Sequence, residues 1–158
     1  MNKKTNNGNT VLALGVGLMA IIGILVLFAD AFDEATWGTG FEAIFGLEAR
    51  GTVLCIPLLV AFLCSCLSVF LPLFCLFIKG KGRGGMYVFV AALLIASATL
   101  MLFGKQFFIQ SNGLNSDPAI NQIESVGAAY ITAAVFNYLG GVLAILGAYA
   151  GRSKKDED

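Results

Sequence analysis

The sequence predicts an all-α, polytopic membrane protein with four transmembrane helices in an antiparallel bundle. Its 158 residues are 58% hydrophobic and only 13% charged, whereas in a soluble domain about a quarter of all residues are charged. Four apolar segments contain no Asp, Glu, Lys or Arg, and each is long enough to cross a bilayer, which takes about 20 residues. They cover residues 11–29, 52–78, 86–104 and 125–150. We therefore expect a single transmembrane domain over residues 1–158, with short cytoplasmic tails at 1–10 and 151–158.

The link between the second and third segments indicates the topology. Residues 79–85 hold three cations and no acid, as is typical of a cytoplasmic loop. Eight of the ten cations fall on this side of the membrane: Lys3, Lys4, Lys79, Lys81, Arg83, Arg152, Lys154 and Lys155. Both termini are therefore expected in the cytoplasm. A cationic rim suits anionic lipid headgroups, and no nucleic acid is needed as a partner to explain it.

The first segment follows a basic start, so two interpretations are open. Ala29-Asp30-Ala31 resembles a signal-peptidase site. However, the apolar run 11–29 is longer than the 7–15 residues typical of a signal peptide. A retained membrane anchor is the favoured interpretation.

The first outer loop contains the pattern of a short helix. Thr39 and Glu42 have the spacing of a capping box, and Phe41 and Phe45 share one face by i, i+4 spacing. We expect a short amphipathic helix in the outer membrane interface, with Trp37 anchored at headgroup depth.

The second segment is overlong and contains two prolines. Pro57 suits a first helical turn, where its missing N–H has no cost. Pro72 falls inside the helix and removes the donor for the Ser68 carbonyl. A kink near Ser68 and Pro72 is therefore expected.

All the cysteines also belong to this segment: Cys55, Cys64, Cys66 and Cys75. The chain has no histidine, and none of the four segments contains an acid that could complete a metal site. The cysteines are interpreted as small apolar packing residues. We predict no metal and no cofactor.

The fourth helix is expected to run from Pro118 to Ala150, because Asp117 and Pro118 are suited to the N-cap and N1 positions. Within it, Asn137 shares an i, i+4 row with Ala133 and Gly141, beside a second row that includes Gly140. Such rows allow close helix approach in lipid.

Asn137 needs a hydrogen-bond partner at this depth. The hydroxyls of the second and third segments are candidates, and the carbonyl freed by Pro72, that of Ser68, is the preferred one. The predicted helix-packing and polar residues are Ala133, Asn137, Gly140, Gly141, Ser68 and Pro72, and the predicted interfacial residues are Trp37, Phe41 and Phe45.

Three short stretches carry a resemblance: 40–46 (GFEAIFG), 71–73 (LPL) and the glycine pair at 140–141. With this layout of spans, the chain resembles small, uncharacterised four-span membrane proteins of Gram-positive bacteria. The resemblance implies a bacterial plasma-membrane location. It brings no active site, so it assigns no functional residue.

Three functional hypotheses follow from these features. The first is a membrane protein without enzymatic activity, an accessory or scaffold subunit that packs against other membrane helices in a homo- or hetero-oligomer. The second is a transporter or channel component, with Asn137, Ser97 and Thr99 along a polar path; the lack of buried charge counts against it. The third is a thiol enzyme, which the absence of a base near the cysteines disfavours. No catalytic residue is predicted.

Overall fold

The computed structural model describes residues 3–32, 37–46, 48, 51–78, 81–113, 120 and 123–150. Over these residues it contains α-helices, short turns and two isolated β-bridges, and no strand. The helices are α1 (Lys3–Leu25, followed by a 3₁₀ turn at Val26–Phe28), α2 (Gly40–Phe45), α3 (Ile56–Phe74), α4 (Lys81–Leu102), α5 (Gly104–Asn112) and α6 (Ala128–Ala150). Within the described ranges, four helical stretches are long and apolar enough to cross a membrane: Gly8–Phe28, Ile56–Phe74, Gly82–Leu102 and Ala128–Ala150. The prediction of an all-α fold with four candidate spans is confirmed.

Two of the long helices begin earlier than the sequence predicts. The polar segment expected as a tail is helical from Lys3, so α1 extends beyond its apolar part. Its carbonyl at Asn9 accepts a hydrogen bond of 3.3 Å from the Tyr87 hydroxyl of α4. α4 itself begins at Lys81, which places much of the glycine-rich link in its first turns.

Helix α3 is shorter than its apolar segment at both ends. It begins at Ile56 with Pro57 in its first turn, as predicted. Pro72 lies two residues before the end at Phe74, and the chain continues in i, i+3 turns such as Cys75 N to Pro72 O, 3.1 Å. The chain therefore leaves the α-helix soon after Pro72, and the Ser68 side chain bonds back to the Cys64 carbonyl at 2.8 Å.

The predicted start of the fourth helix at Pro118 is wrong over the residues that can be compared. Residues 123–127 are not helical, and α6 begins at Ala128. Here Val126 forms a bridge with Phe32, and the Gly127 N–H donates to the Ala31 carbonyl at 2.9 Å. Pairing with the first loop thus satisfies backbone groups of residues 126 and 127 that would otherwise be satisfied by a longer helix. Pro118 itself lies outside the described residues.

Helix α2 has the predicted capping box. The Thr39 hydroxyl accepts from the Glu42 N–H at 3.3 Å, and the Glu42 carboxylate accepts from the Thr39 N–H at 2.7 Å. The helix ends at Phe45 because Gly46 adopts a φ of 94°, a conformation that favours glycine. A backbone bond from Cys55 N to Ile44 O, 2.9 Å, then ties the loop to the start of α3.

The four long helices form a closed ring in which α6 and α3 each contact both α1 and α4. Contacts between α4 and α6 run in opposite order along the two helices, from Tyr87 beside Gly147 to Thr99 beside Tyr138. Buried apolar residues form two clusters. The Phe108 cluster lies toward the loops and includes Leu27, Phe32, Trp37, Ile44, Met101, Phe108 and Tyr130. The Tyr87 cluster lies toward the other end and includes Val16, Ala20, Cys75, Tyr87, Leu94 and Ala148.

Candidate functional site

The two apolar clusters are separated by a polar layer to which each long helix contributes one residue. We call Gly23 of α1, Ser65 of α3, Ser97 of α4 and Asn137 of α6 the Asn137 layer. The three polar side chains are each 0% exposed. The layer is therefore inside the bundle and shielded from its surroundings.

The hydrogen bonds of the layer connect three helices. The Asn137 Nδ2 group donates to Ser65 Oγ at 3.0 Å and to Ser97 Oγ at 3.1 Å. The two serine oxygens are 2.8 Å apart, and Ser97 Oγ lies 2.7 Å from the Ala61 carbonyl. One arrangement uses every hydrogen: Ser97 donates to Ala61, Ser65 donates to Ser97, and the amide gives one hydrogen to each serine. All the side-chain donors of the layer are thus satisfied.

The Asn137 Oδ1 atom is the exception among the acceptors. It is buried and accepts no hydrogen bond from any residue that the structure describes. It faces Gly23, where an added Cβ would lie 2.9 Å from Oδ1, closer than side chains normally approach. A glycine at this position therefore leaves room for the amide as it is placed. Gly23 is therefore a member of the site that sequence reasoning did not single out, although it belongs to a row of small residues along α1.

The preferred partner predicted for Asn137 was wrong, whereas two of the candidate hydroxyls of the second and third segments were right. The amide bonds to the hydroxyls of Ser65 and Ser97, and not to the Ser68 carbonyl. Ser68 is buried on the same helix, one turn further toward the end of α3, and Pro72 is buried with it. Neither residue contributes a hydrogen bond to the layer.

The small residues of α6 pack inside the chain. An added Cβ at Gly140 would lie 3.1 Å from Leu94 of α4 and 3.2 Å from Met19 of α1. At Gly141 it would lie 3.1 Å from Ile95, and Ala133 is fully buried. The row that the sequence assigns to helix packing therefore joins α6 to α1 and α4 of the same molecule.

A second pair of hydroxyls lies on the outer surface of the bundle. Thr99 of α4 is exposed, and its Oγ1 lies 3.0 Å from the Tyr138 hydroxyl of α6. Because Thr99 donates its one hydrogen to the Ile95 carbonyl at 2.8 Å, Tyr138 donates to Thr99. Both residues lie within candidate spans, and because Thr99 is exposed while Tyr138 is partly buried, the pair lies at the surface of the bundle. Ala92 and Ala96, also exposed, continue the same face of α4 by i, i+4 and i+7 spacing.

The aromatic residues predicted at the interface occupy two environments. Trp37 is 2% exposed, with its ring centroid 6.3 Å from that of Phe108. Phe45 is 50% exposed, whereas Phe41 is partly buried and packs against the Phe108 cluster, and both rings contact that of Phe62. The membrane depth of all three residues remains a prediction.

No cysteine thiol joins the hydrogen bonds of the Asn137 layer, although Cys64 and Cys66 flank Ser65 along α3. All are free, with Cys55 and Cys75 buried and Cys64 and Cys66 partly buried. Across the described part of the chain, no three His, Cys, Asp or Glu side chains come close enough together to hold a metal ion.

Comparison with known proteins does not assign this chain to a family. No family model matches the chain, and neither a curated protein nor a solved structure matches it.

Proposed function

We propose that this chain is an integral plasma-membrane protein without enzymatic activity, an accessory or scaffold subunit that packs against another membrane helix. Both termini lie in the cytoplasm in this proposal, in accordance with the distribution of cations. The helices form an antiparallel four-helix bundle, and α2 lies in the outer interface.

The observation that carries the proposal is the Thr99–Tyr138 pair on the outside of α4 and α6. Both hydroxyl hydrogens are used within the chain, but the two oxygens keep acceptor capacity that lipid chains cannot fill and that a donor on a neighbouring helix can. Small residues beside hydroxyls are characteristic of helix contacts in membranes. Ala92 and Ala96 provide such a neighbourhood, with both side chains exposed. The glycines of α6 are already used inside the bundle, so we assign the partner contact to the small residues on the outer face of α4.

Co-purification in mild detergent, with variants on two sides of the bundle, tests this proposal. Ala96→Phe adds bulk beside Thr99 on the proposed face, and its side chain is exposed, so the fold has room for it. Leu18→Phe is the matched control, because Leu18 is 53% exposed on α1, the helix diagonal to α4 in the ring. We expect a defined partner, or a second copy of the chain, to be lost with Ala96→Phe and kept with Leu18→Phe. A monomer without partners in both variants and in the wild type would contradict the proposal.

The second candidate is a transporter or channel component with a polar path near Asn137. The unpaired Oδ1 atom is the observation that favours it, because a passing solute with an N–H or O–H group would find an acceptor there. The apolar clusters on both sides of the layer favour the scaffold role instead. Asn137→Leu in proteoliposomes discriminates between the two: loss of a measurable solute flux with the fold intact would make transport the function.

A further inference from the structure

The Arg83 guanidinium is held at the end of α3. Its Nε–H lies 3.0 Å from the Cys75 carbonyl and 3.0 Å from the Ile78 carbonyl. These carbonyls follow the end of α3 at Phe74, where a helix lacks internal donors and carries partial negative charge. The two contacts fix the position and orientation of a partly buried cation.

The rest of the guanidinium has no acceptor in the described part of the chain. Of its five N–H groups, only Nε–H is used, which leaves the four on the two terminal nitrogens. A fixed planar fork of this kind matches the two oxygens of a phosphate or carboxylate group. The ligand chemistry that fits Arg83 is therefore an oxyanion approached from the side opposite Nε.

The surroundings of Arg83 suit the boundary between lipid chains and headgroups. One side of the first turns of α4 is open: an added Cβ at Gly85 would meet nothing within 4 Å, and both Gly82 and Gly85 are exposed. The adjoining end of α3 presents apolar rings, with Phe74 56% and Phe77 81% exposed. One candidate span ends at Phe74 and the next begins at Gly82, so Arg83 belongs to the first turn of a span, where we expect the phosphates of a bilayer.

We infer that Arg83 binds the phosphate diester of a glycerophospholipid. The terminal nitrogens hold two phosphate oxygens, the glycines leave room for the headgroup, and the phenylalanine rings contact the acyl chains. This site is independent of the accessory role and of the side of the membrane on which the termini lie. It gives the bundle a fixed lipid neighbour at the α3–α4 connection.

Native mass spectrometry of the full chain, titrated with phosphatidylcholine or with a diacylglycerol of the same acyl chains, tests the inference. The phosphatidylcholine headgroup carries a phosphate but no net charge, so diffuse attraction to the basic loop does not contribute. We expect the phospholipid to bind about tenfold tighter than the diacylglycerol, because a charge-assisted hydrogen-bonded pair is lost without the phosphate. Equal binding of the two lipids would overturn the inference.

Variants separate the fork of Arg83 from its charge. Arg83→Gln is expected to weaken phosphatidylcholine binding about tenfold, and Arg83→Lys by several-fold, because lysine keeps the charge without the fork. Lys81→Gln removes an equal charge two residues away and should leave binding unchanged. An equal loss with Lys81→Gln and Arg83→Gln would refute a specific site. If Arg83→Gln does not fold, the Arg83→Lys variant and the wild-type titrations with phosphatidylcholine and diacylglycerol still test the inference.

A last arm of the experiment distinguishes lipid from soluble phosphate. Inorganic phosphate in molar excess should not displace phosphatidylcholine, since it lacks the acyl chains that contact the rings. Displacement would show a general anion site and would contradict the lipid assignment.

Discussion

The contact between Gly23 and the Asn137 amide makes a sharp prediction about Gly23→Ala. In most helices this change is favourable by about 1 kcal/mol because alanine is the better helix former. Here the new Cβ would lie 2.9 Å from Oδ1 and 3.4 Å from Cγ of Asn137, so the amide must move. Its two bonds to Ser65 and Ser97, 3.0 and 3.1 Å long, would be disturbed. Overpacking costs about 1–3 kcal/mol, so we expect a net loss of stability of about 0–2 kcal/mol.

The prediction becomes specific in the Asn137→Ala background. Without the amide, the nearest atom to the new Cβ is the Ala133 carbonyl oxygen at 3.5 Å, an ordinary contact. The serines still satisfy each other and the Ala61 carbonyl. Gly23→Ala should therefore change from destabilising to neutral or stabilising, which gives a coupling energy of about 1–3 kcal/mol between the two positions.

Unfolding by a denaturing detergent in mixed micelles measures these free energies. Trp37 is the only tryptophan in the sequence and is 2% exposed, so its fluorescence reports loss of the Phe108 cluster. Gly15→Ala is the matched control on the same helix, because its Cβ would meet only a Leu143 methyl carbon at 3.7 Å. Equal effects of Gly15→Ala and Gly23→Ala, or additivity within about 0.5 kcal/mol in the double variant, would refute the reasoning.

Three further predictions concern topology, the cysteines and the packing of α6. A cysteine introduced at Ser116 should react with an impermeant reagent from outside, and one at Ser153 should not; the reverse pattern would invert the topology. Replacing the four native thiols together should leave the fold and expression largely intact; they are Cys55, Cys64, Cys66 and Cys75. Loss of a redox-dependent phenotype in this variant would revive the thiol-enzyme hypothesis. Asn137→Leu should destabilise the bundle by only about 1 kcal/mol, at about 0.6 kcal/mol per interhelical hydrogen bond in membranes. Gly141→Leu should cost more, since even a Cβ would lie 3.1 Å from Ile95; a silent Gly141→Leu would show that this face is misassigned.

The features predictable from sequence were those that depend on spacing along one segment. The four candidate spans follow from runs without charge, and the Thr39–Glu42 capping box follows from a three-residue separation. The burial of Asn137 follows from its place in a row of small residues. Each is a property of a helix considered alone.

The features that could not be predicted depend on how two helices are placed relative to each other. The choice of Ser65 over the Ser68 carbonyl is a matter of three residues along α3, about 4.5 Å of axial offset. That offset depends on how the helices pack across the bundle, and no local pattern encodes it. Likewise, the pairing of Val126 with Phe32 joins segments far apart in the chain, and it replaced the expected early turns of α6.

Helix geometry corrects one functional expectation directly. Ser97 and Thr99 were both assigned to a polar path, yet residues two apart on a helix point about 200° apart. Ser97 is fully buried in the Asn137 layer, whereas Thr99 is exposed on the outer face beside Tyr138. Only one of the two residues faces the interior, and the other became the basis of the proposed contact with a partner.

Photo-crosslinking in native membranes tests the central claim, that the outer face of α4 contacts another protein, most directly. A photoreactive residue at Ala96 lies on the face of Thr99, and one at Leu18 lies on α1 on the diagonal side of the ring. The proposed function predicts a defined protein adduct from Ala96, or a dimer of this chain, with mainly lipid adducts from Leu18. Lipid adducts alone from both positions would contradict the claim.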